Sequence, residues 1–90
     1  MLNELFAIIE DRKANPTEKS YTAQLISEGE DKILQKVGEE AVEVILAAKG
    51  QGDQRLIEET ADLFYHTLVL LSAKGLTLGD VEAELRQRHR

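Results

Sequence analysis

The chain contains no cysteine. Disulfide staples and thiolate metal sites are therefore excluded, and the composition fits a reducing compartment. Pro16 is the only proline; with a few clustered glycines it punctuates the chain. No alternating strand pattern, internal repeat or low-complexity tract occurs. Long apolar runs are missing too. The longest, LFYHTLVLLSA at 63–73, is too short to span a bilayer and contains His66. The N-terminal MLNELFAIIEDRK has acids at Glu4 and Glu10 and no basic start ahead of an apolar run, so it does not read as a signal peptide. The expectation is a soluble, cytoplasmic protein with no membrane association. Positive charge is also in deficit. Eleven Lys and Arg stand against 17 Asp and Glu, for a net charge of −6 and a pI near 4.9. Such a surface repels phosphate backbones and excludes general nucleic-acid binding. Local cations remain available to grip a small phosphorylated ligand.

What is present is helical periodicity. Leu2, Leu5, Phe6 and Ile9 predict a first helix over about residues 2–13. NPTEKSYTAQLISEG (15–29) has weak periodicity and reads as a loop with one short turn near 22–27. Ile33, Val37, Ala41, Val44 and Ala48 mark the apolar face of a long second helix over about 30–49. Gly50 is placed to end it in a left-handed conformation. Asp53 is placed to N-cap a third helix that runs to about Lys74 and stops at Gly75. Thr77 and Asp80 then resemble a capping box with a shorter acid, opening a fourth helix to the C-terminus.

Short connections between long helices imply antiparallel neighbours. The fold class is all-α, an antiparallel bundle of about four helices in a single domain spanning residues 1–90. Ninety residues give a marginal core. The third helix, apolar on nearly every face after Asp62, must be covered all round. A homodimer that completes a larger bundle meets both needs.

Two acidic clusters border this apolar sequence. KVGEEAVEVILAA (36–48) holds Glu39, Glu40 and Glu43, and EETADLFYH (58–66) holds Glu58, Glu59 and Asp62. Glu40 and Glu43 lie about 60° apart around the helix and roughly 4.5 Å apart along it. Glu59 and Asp62 repeat that spacing. Like charges so placed cost about 0.2–0.5 kcal/mol per pair in an isolated helix. Antiparallel packing across the GQGD turn sets the clusters at similar heights, two to three turns from the connection. A divalent cation between the helices would convert repulsion into attraction. With oxygen ligands only, the ion would be hard: Mg²⁺, or Mn²⁺ in its place. The competing reading is an ordinary solvated acidic face. Against it stand the apolar neighbours of Glu43 and the mid-helix position of Asp62, since Asp is a mediocre helix former.

Lys32 and Lys36 precede Glu40 and Glu43 on one stripe of the second helix. They form either a Lys36–Glu40 ion pair or a cradle for a polyphosphate whose far end meets the metal. His66, one turn beyond Asp62, reads as a hydrogen-bonded core residue, and Tyr65 as structural. Ser20, Tyr21 and Thr22 offer three adjacent hydroxyls in a loop, the kind of segment that often binds ligands.

These residues carry a resemblance. SYTAQL (20–25), DKILQKVGEEAVEVILAAK (31–49), EETADLFYHTLVLL (58–71) and KGLTLGDVEAELRQRH (74–89) resemble the phosphoribosyl-ATP pyrophosphatase (HisE type) family. It is a branch of the all-α NTP pyrophosphatase (MazG-like) superfamily, and the match covers nearly the whole chain. ExxE and ExxD on consecutive helices suggest the superfamily. The longer KILQKVGEEAVEV string and SYTAQL select the branch. The resemblance implies Mg²⁺-dependent hydrolysis of 1-(5-phosphoribosyl)-ATP between the α- and β-phosphates, the second step of histidine biosynthesis, by a homodimer or higher homo-oligomer. It implies Glu40, Glu43, Glu59 and Asp62 as metal ligands, with Glu39 nearby. It implies Lys32 and Lys36 at the phosphates, and Ser20, Tyr21 and Thr22 in a segment that closes over substrate. Glu39 or Glu43 would orient or deprotonate the attacking water. No fused cyclohydrolase domain is present, so a free-standing enzyme is expected. Two rivals remain open: a housecleaning NTP pyrophosphatase using the same carboxylates, and a non-catalytic helical dimerisation module.

Overall fold

The computed structural model of the chain describes residues 1–89, which form five helices and no strand. They are α1 (Leu2–Ala14), α2 (Tyr21–Ser27), α3 (Glu30–Gly50), α4 (Asp53–Ala73) and α5 (Leu78–Arg88). Among the described residues, no helix is long and apolar enough to cross a membrane. Long α3 and α4 lie antiparallel across Gln51 and Gly52 and share the most extensive packing in the molecule.

The helix count differs from the sequence expectation because α2 is a helix rather than a turn. Seven residues are too few to hold a helix alone. Two things stabilise it here. The Ser20 hydroxyl accepts a hydrogen bond from the Ala23 amide, at 3.1 Å, and Thr22, Ala23 and Leu25 are buried against neighbouring helices.

The α3–α4 connection also differs in detail. Gly50 is the last residue of α3, and Gly52, at φ 91°, is the one in the left-handed region. Gly52 occupies the N-cap position of α4, so Asp53 is the first helical residue, not the cap. There its carboxylate favours the positive end of the helix dipole. Downstream the expectations hold. Gly75 (φ 75°) ends α4 in a Schellman motif, with Leu76 N donating to Leu71 O and Gly75 N to Ser72 O. The Thr77–Asp80 capping box opens α5, which runs to Arg88 and is capped by His89; the final residue lies outside the described ones.

One core draws on every helix: Ile9 of α1, Leu25 of α2, Ile33 of α3, Leu68 and Val69 of α4, and Leu78 of α5. Its α3 and α4 members lie far from the Gly52 turn. Nearer the turn, α3 and α4 bury little beyond Ala47, Glu40 and Glu59, while Val42, Ile45, Leu46, Ile57 and Phe64 are each half or more exposed. The turn-side half of the hairpin thus projects from the core. The radius of gyration, 14.1 Å, reflects this; a compact chain of this length gives about 12 Å.

Candidate active site

The α3–α4 seam brings three carboxylates together. Glu40 and Glu43 come from successive turns of α3 and Glu59 from the facing turn of α4. An oxygen from each lies within 4.8 Å of the others. Glu40 and Glu59 are 6% and 3% exposed, whereas Glu43 sits at the exposed rim. A basic residue one turn upstream pairs with one oxygen of each buried acid. Lys36 Nζ is 3.5 Å from Glu40 Oε1, and Arg55 Nη2 is 3.2 Å from Glu59 Oε1. The other oxygens, Glu40 Oε2 and Glu59 Oε2, are buried with no partner.

Such an arrangement is costly without compensation, because a buried carboxylate has lost its water. Without a cation, the cluster favours the protonated form of Glu59. A hydrogen bond with Glu43, then burial, pushes the Glu59 carboxyl up to about 7, with the nearby Glu43 and Glu40 charges adding to the effect against the pull of Arg55. The same hydrogen bond holds Glu43 below the usual carboxylate range. Like charges crowded together split their titrations in this way. A cation bound by the orphaned oxygens would remove the penalty. The donor set is all carboxylate oxygen, which suits Mg²⁺ or Mn²⁺.

The other acids are placed differently. Asp62 is exposed, and its carboxylate is not part of the three-glutamate cluster. Three residues beyond Glu59, it has turned about 60° around α4. Its carbonyl oxygen accepts from His66 Nδ1 at 2.8 Å. Glu39 is exposed beside the cluster, taking a hydrogen bond from Gln35 Nε2 at 3.1 Å and lying 3.7 Å from Lys36 Nζ. Glu58 is bonded outward by Gln54 and Arg55.

Next to the carboxylates, α2 and α3 border a cleft of about 310 Å³ lined by Tyr21, Gln24, Leu25, Glu28, Lys32 and Lys36. The two lysines do share a stripe that leads toward the acids. Lys36 engages Glu40 and Glu39, the ion pair weighed from the sequence, while still facing the cleft. Burial works against its charge, but Tyr21, Glu40 and Glu39 outweigh that and hold its pKa above the ordinary value.

The three adjacent hydroxyls part company. Ser20 caps α2. Thr22 is buried and hydrogen-bonded to the Tyr65 hydroxyl. Only Tyr21 lines the cleft; its hydroxyl lies 3.1 Å from His66 Nε2. His66 is buried with both ring nitrogens engaged, as expected of a core histidine. Sequence reasoning did not single out Arg55, although its signal was visible: it precedes Glu58 and Glu59 by three and four residues, the spacing of helical ion pairs.

The family model for phosphoribosyl-ATP pyrophosphohydrolase matches residues 2–89. A phosphoribosyl-ATP pyrophosphatase of Clostridium acetobutylicum is 53% identical over 89 residues, covering 99% of this chain and 81% of that protein. The phosphoribosyl-ATP pyrophosphatase of Haloarcula marismortui is 52% identical over 90 residues, covering 98% and 92%. That of Limosilactobacillus fermentum is 54% identical over 87 residues, covering 97% and 82%.

Proposed function

Because the chain belongs to the phosphoribosyl-ATP pyrophosphohydrolase family of hydrolases, we propose that it cleaves 1-(5-phosphoribosyl)-ATP between the α- and β-phosphates. The products would be pyrophosphate and 1-(5-phosphoribosyl)-AMP, and the reaction the second step of histidine biosynthesis in the cytoplasm. The observation that carries the mechanism is the pair of buried, unpartnered oxygens on Glu40 and Glu59.

Glu40, Glu43 and Glu59 would hold Mg²⁺, or Mn²⁺ in its place, with Asp62 at the edge of the site. Bound there, the ion would neutralise charge on the phosphate oxygens and favour attack at phosphorus. The chain's own residues supply the rest. Lys32 and Lys36 line the neighbouring cleft and would hold the leaving pyrophosphate. Glu39 and Glu43 flank the same turn of α3, where either would reach a water bound beside the cluster. One of them would orient or deprotonate that water for in-line attack. Ser20 and Thr22 contribute by fixing α2, and Tyr21 by lining the cleft.

The projecting half of the α3–α4 hairpin supports a homodimer. Leu34, Val42 and Leu46 line an open groove of about 730 Å³ that also contains Glu39 and Glu43. A second copy laid on this face would cover the apolar residues and close one side of the site.

The experiment is pyrophosphate release from phosphoribosyl-ATP, with Mg²⁺ and with EDTA, beside ATP and dUTP. Rapid Mg²⁺-dependent release from phosphoribosyl-ATP alone is expected. Preferential release from ATP or dUTP would move the chain to housecleaning chemistry, and no release from any of them would sink the enzymatic reading.

A further inference from the structure

The Tyr21 hydroxyl has one hydrogen, and with a neutral His66 ring the structure fixes where it goes. His66 Nδ1 lies 2.8 Å from the Asp62 carbonyl oxygen, which can only accept. Nδ1 therefore carries the hydrogen. In the neutral ring Nε2 is then an acceptor. Tyr21, 3.1 Å from that nitrogen, must be the donor. Its hydrogen points into the protein, and its oxygen offers the cleft lone pairs alone.

His66 can impose this because it is itself fixed. It is buried, its ring packs edge-on against Tyr65 at a centroid distance of 5.0 Å, and Tyr65 is tied in turn to Thr22. Tyr21 packs on the same two rings, with centroids 6.2 Å from Tyr65 and 6.0 Å from His66. Yet Tyr21 itself is half exposed and lines the cleft with Lys32 and Lys36. The cleft wall thus has two chemistries. The lysines are donors, suited to phosphate oxygens. The tyrosine oxygen is an acceptor, and ionised phosphate offers it no hydrogen. In a nucleotide or phosphoribosyl compound the donors nearest the phosphates are the sugar hydroxyls.

We propose that His66 is a positioning residue that orients the Tyr21 hydroxyl as an acceptor for a sugar hydroxyl of the substrate, next to the phosphates held by Lys32 and Lys36. The assignment rests on the functional reading above and adds a specificity element to it. The sequence alone could not show this pairing, since the two residues are 45 positions apart.

The test uses three single variants, one double variant and two ligands. Asn at position 66 keeps a group near Nδ1 but does not reach Tyr21, whereas Gln places an amide oxygen near the position of Nε2. Tyr21→Phe and His66→Asn are each expected to raise KM for phosphoribosyl-ATP by about tenfold, the scale of one neutral hydrogen bond, with kcat changed less than twofold. The double variant should be no worse than either single one, and His66→Gln should recover most of the loss. Inhibition by inorganic triphosphate with Mg²⁺ should be the same in all four variants and the unaltered chain.

Additive losses in the double variant would overturn the positioning role, as would an unchanged KM in Tyr21→Phe. Equal weakening of triphosphate would overturn the sugar assignment. Should His66→Asn not fold, Tyr21→Phe, a half-exposed site, still decides the acceptor role and His66→Gln the pairing. If the unaltered chain releases nothing from phosphoribosyl-ATP, the functional reading fails separately. Calorimetric binding of ATP against inorganic triphosphate then reads the same contrast, with selective loss for ATP supporting the proposal and equal affinities in all variants overturning it.

Discussion

Glu40 and Glu59 face each other across the α3–α4 seam, each with one oxygen ion-paired to a basic residue one turn upstream and the other buried without a partner. Each helix thus supplies half of a charge problem that neither solves alone. A divalent cation would solve it, because it would satisfy both orphaned oxygens at once.

Binding of that cation should stabilise the fold. Mg²⁺ or Mn²⁺ at a hundredfold excess over its Kd is expected to raise the melting temperature by on the order of 10 °C. EDTA should reverse the rise, and Glu59→Gln should abolish it. Melting curves that do not respond to either ion would remove the metal assignment.

The metal-free protein should lose stability as pH rises from about 5 to 7.5. Glu59 binds its proton more tightly folded, up to about 7, than unfolded. Its contribution is therefore fully present below the unfolded carboxyl range, near 4.3, and is lost as pH climbs through the folded value. Glu43 has the opposite sign, and its effect falls below that window. Thermal melts across this range in EDTA should show a downward slope that Glu59→Gln flattens.

Turnover should grade with position in the cluster. Glu43→Gln is expected to lower kcat by about a hundredfold or more, the scale of a positioned acid–base group. Glu39→Gln should fall similarly if Glu39 handles the water, and only severalfold if Glu43 does. Asp62→Asn should cost less than Glu43→Gln, since Asp62 stands outside the three-glutamate group. Full activity in both Glu43→Gln and Asp62→Asn would mean that the chemistry lies elsewhere.

Association should depend on the turn-side face. Light scattering is expected to report at least twice the chain mass of 10.1 kDa. Ile45→Asp, which places a charge where the side chain is now 62% exposed, should yield single chains that keep their helical content. An unaltered protein of single-chain mass at assay concentrations would refute the dimer.

The long helices and the pairing of Glu40 and Glu43 with Glu59 were legible because periodicity and connection length determine them. Ile33 and Val37 set the phase of α3, and a two-residue link leaves α4 little choice but to fold back. Local detail was less legible. Two glycines in GQG compete for the left-handed position, and helix continuation through Gly50 left it to Gly52. Helix α2 is held by tertiary burial of Thr22, Ala23 and Leu25, which no local pattern reveals. Asp62 matched a spacing motif, and it lies exposed outside the three-glutamate cluster. The Tyr21–His66 bond joins segments 45 residues apart, which only the tertiary fold brings together.

The seven-residue interval between Glu59 and His66 sets a rule for how this chain can change. Seven residues bring a helix back to within about 20° of its starting direction. One side of α4 therefore carries both the buried acid of the seam and the buried base that fixes the cleft wall. Substitutions at outward positions such as Ala61 leave this alignment intact. A single insertion or deletion between the two would rotate one against the other by about 100° and separate the acid from the cleft it serves. Over evolutionary time, this stretch of α4 can change at its outward positions but not in length.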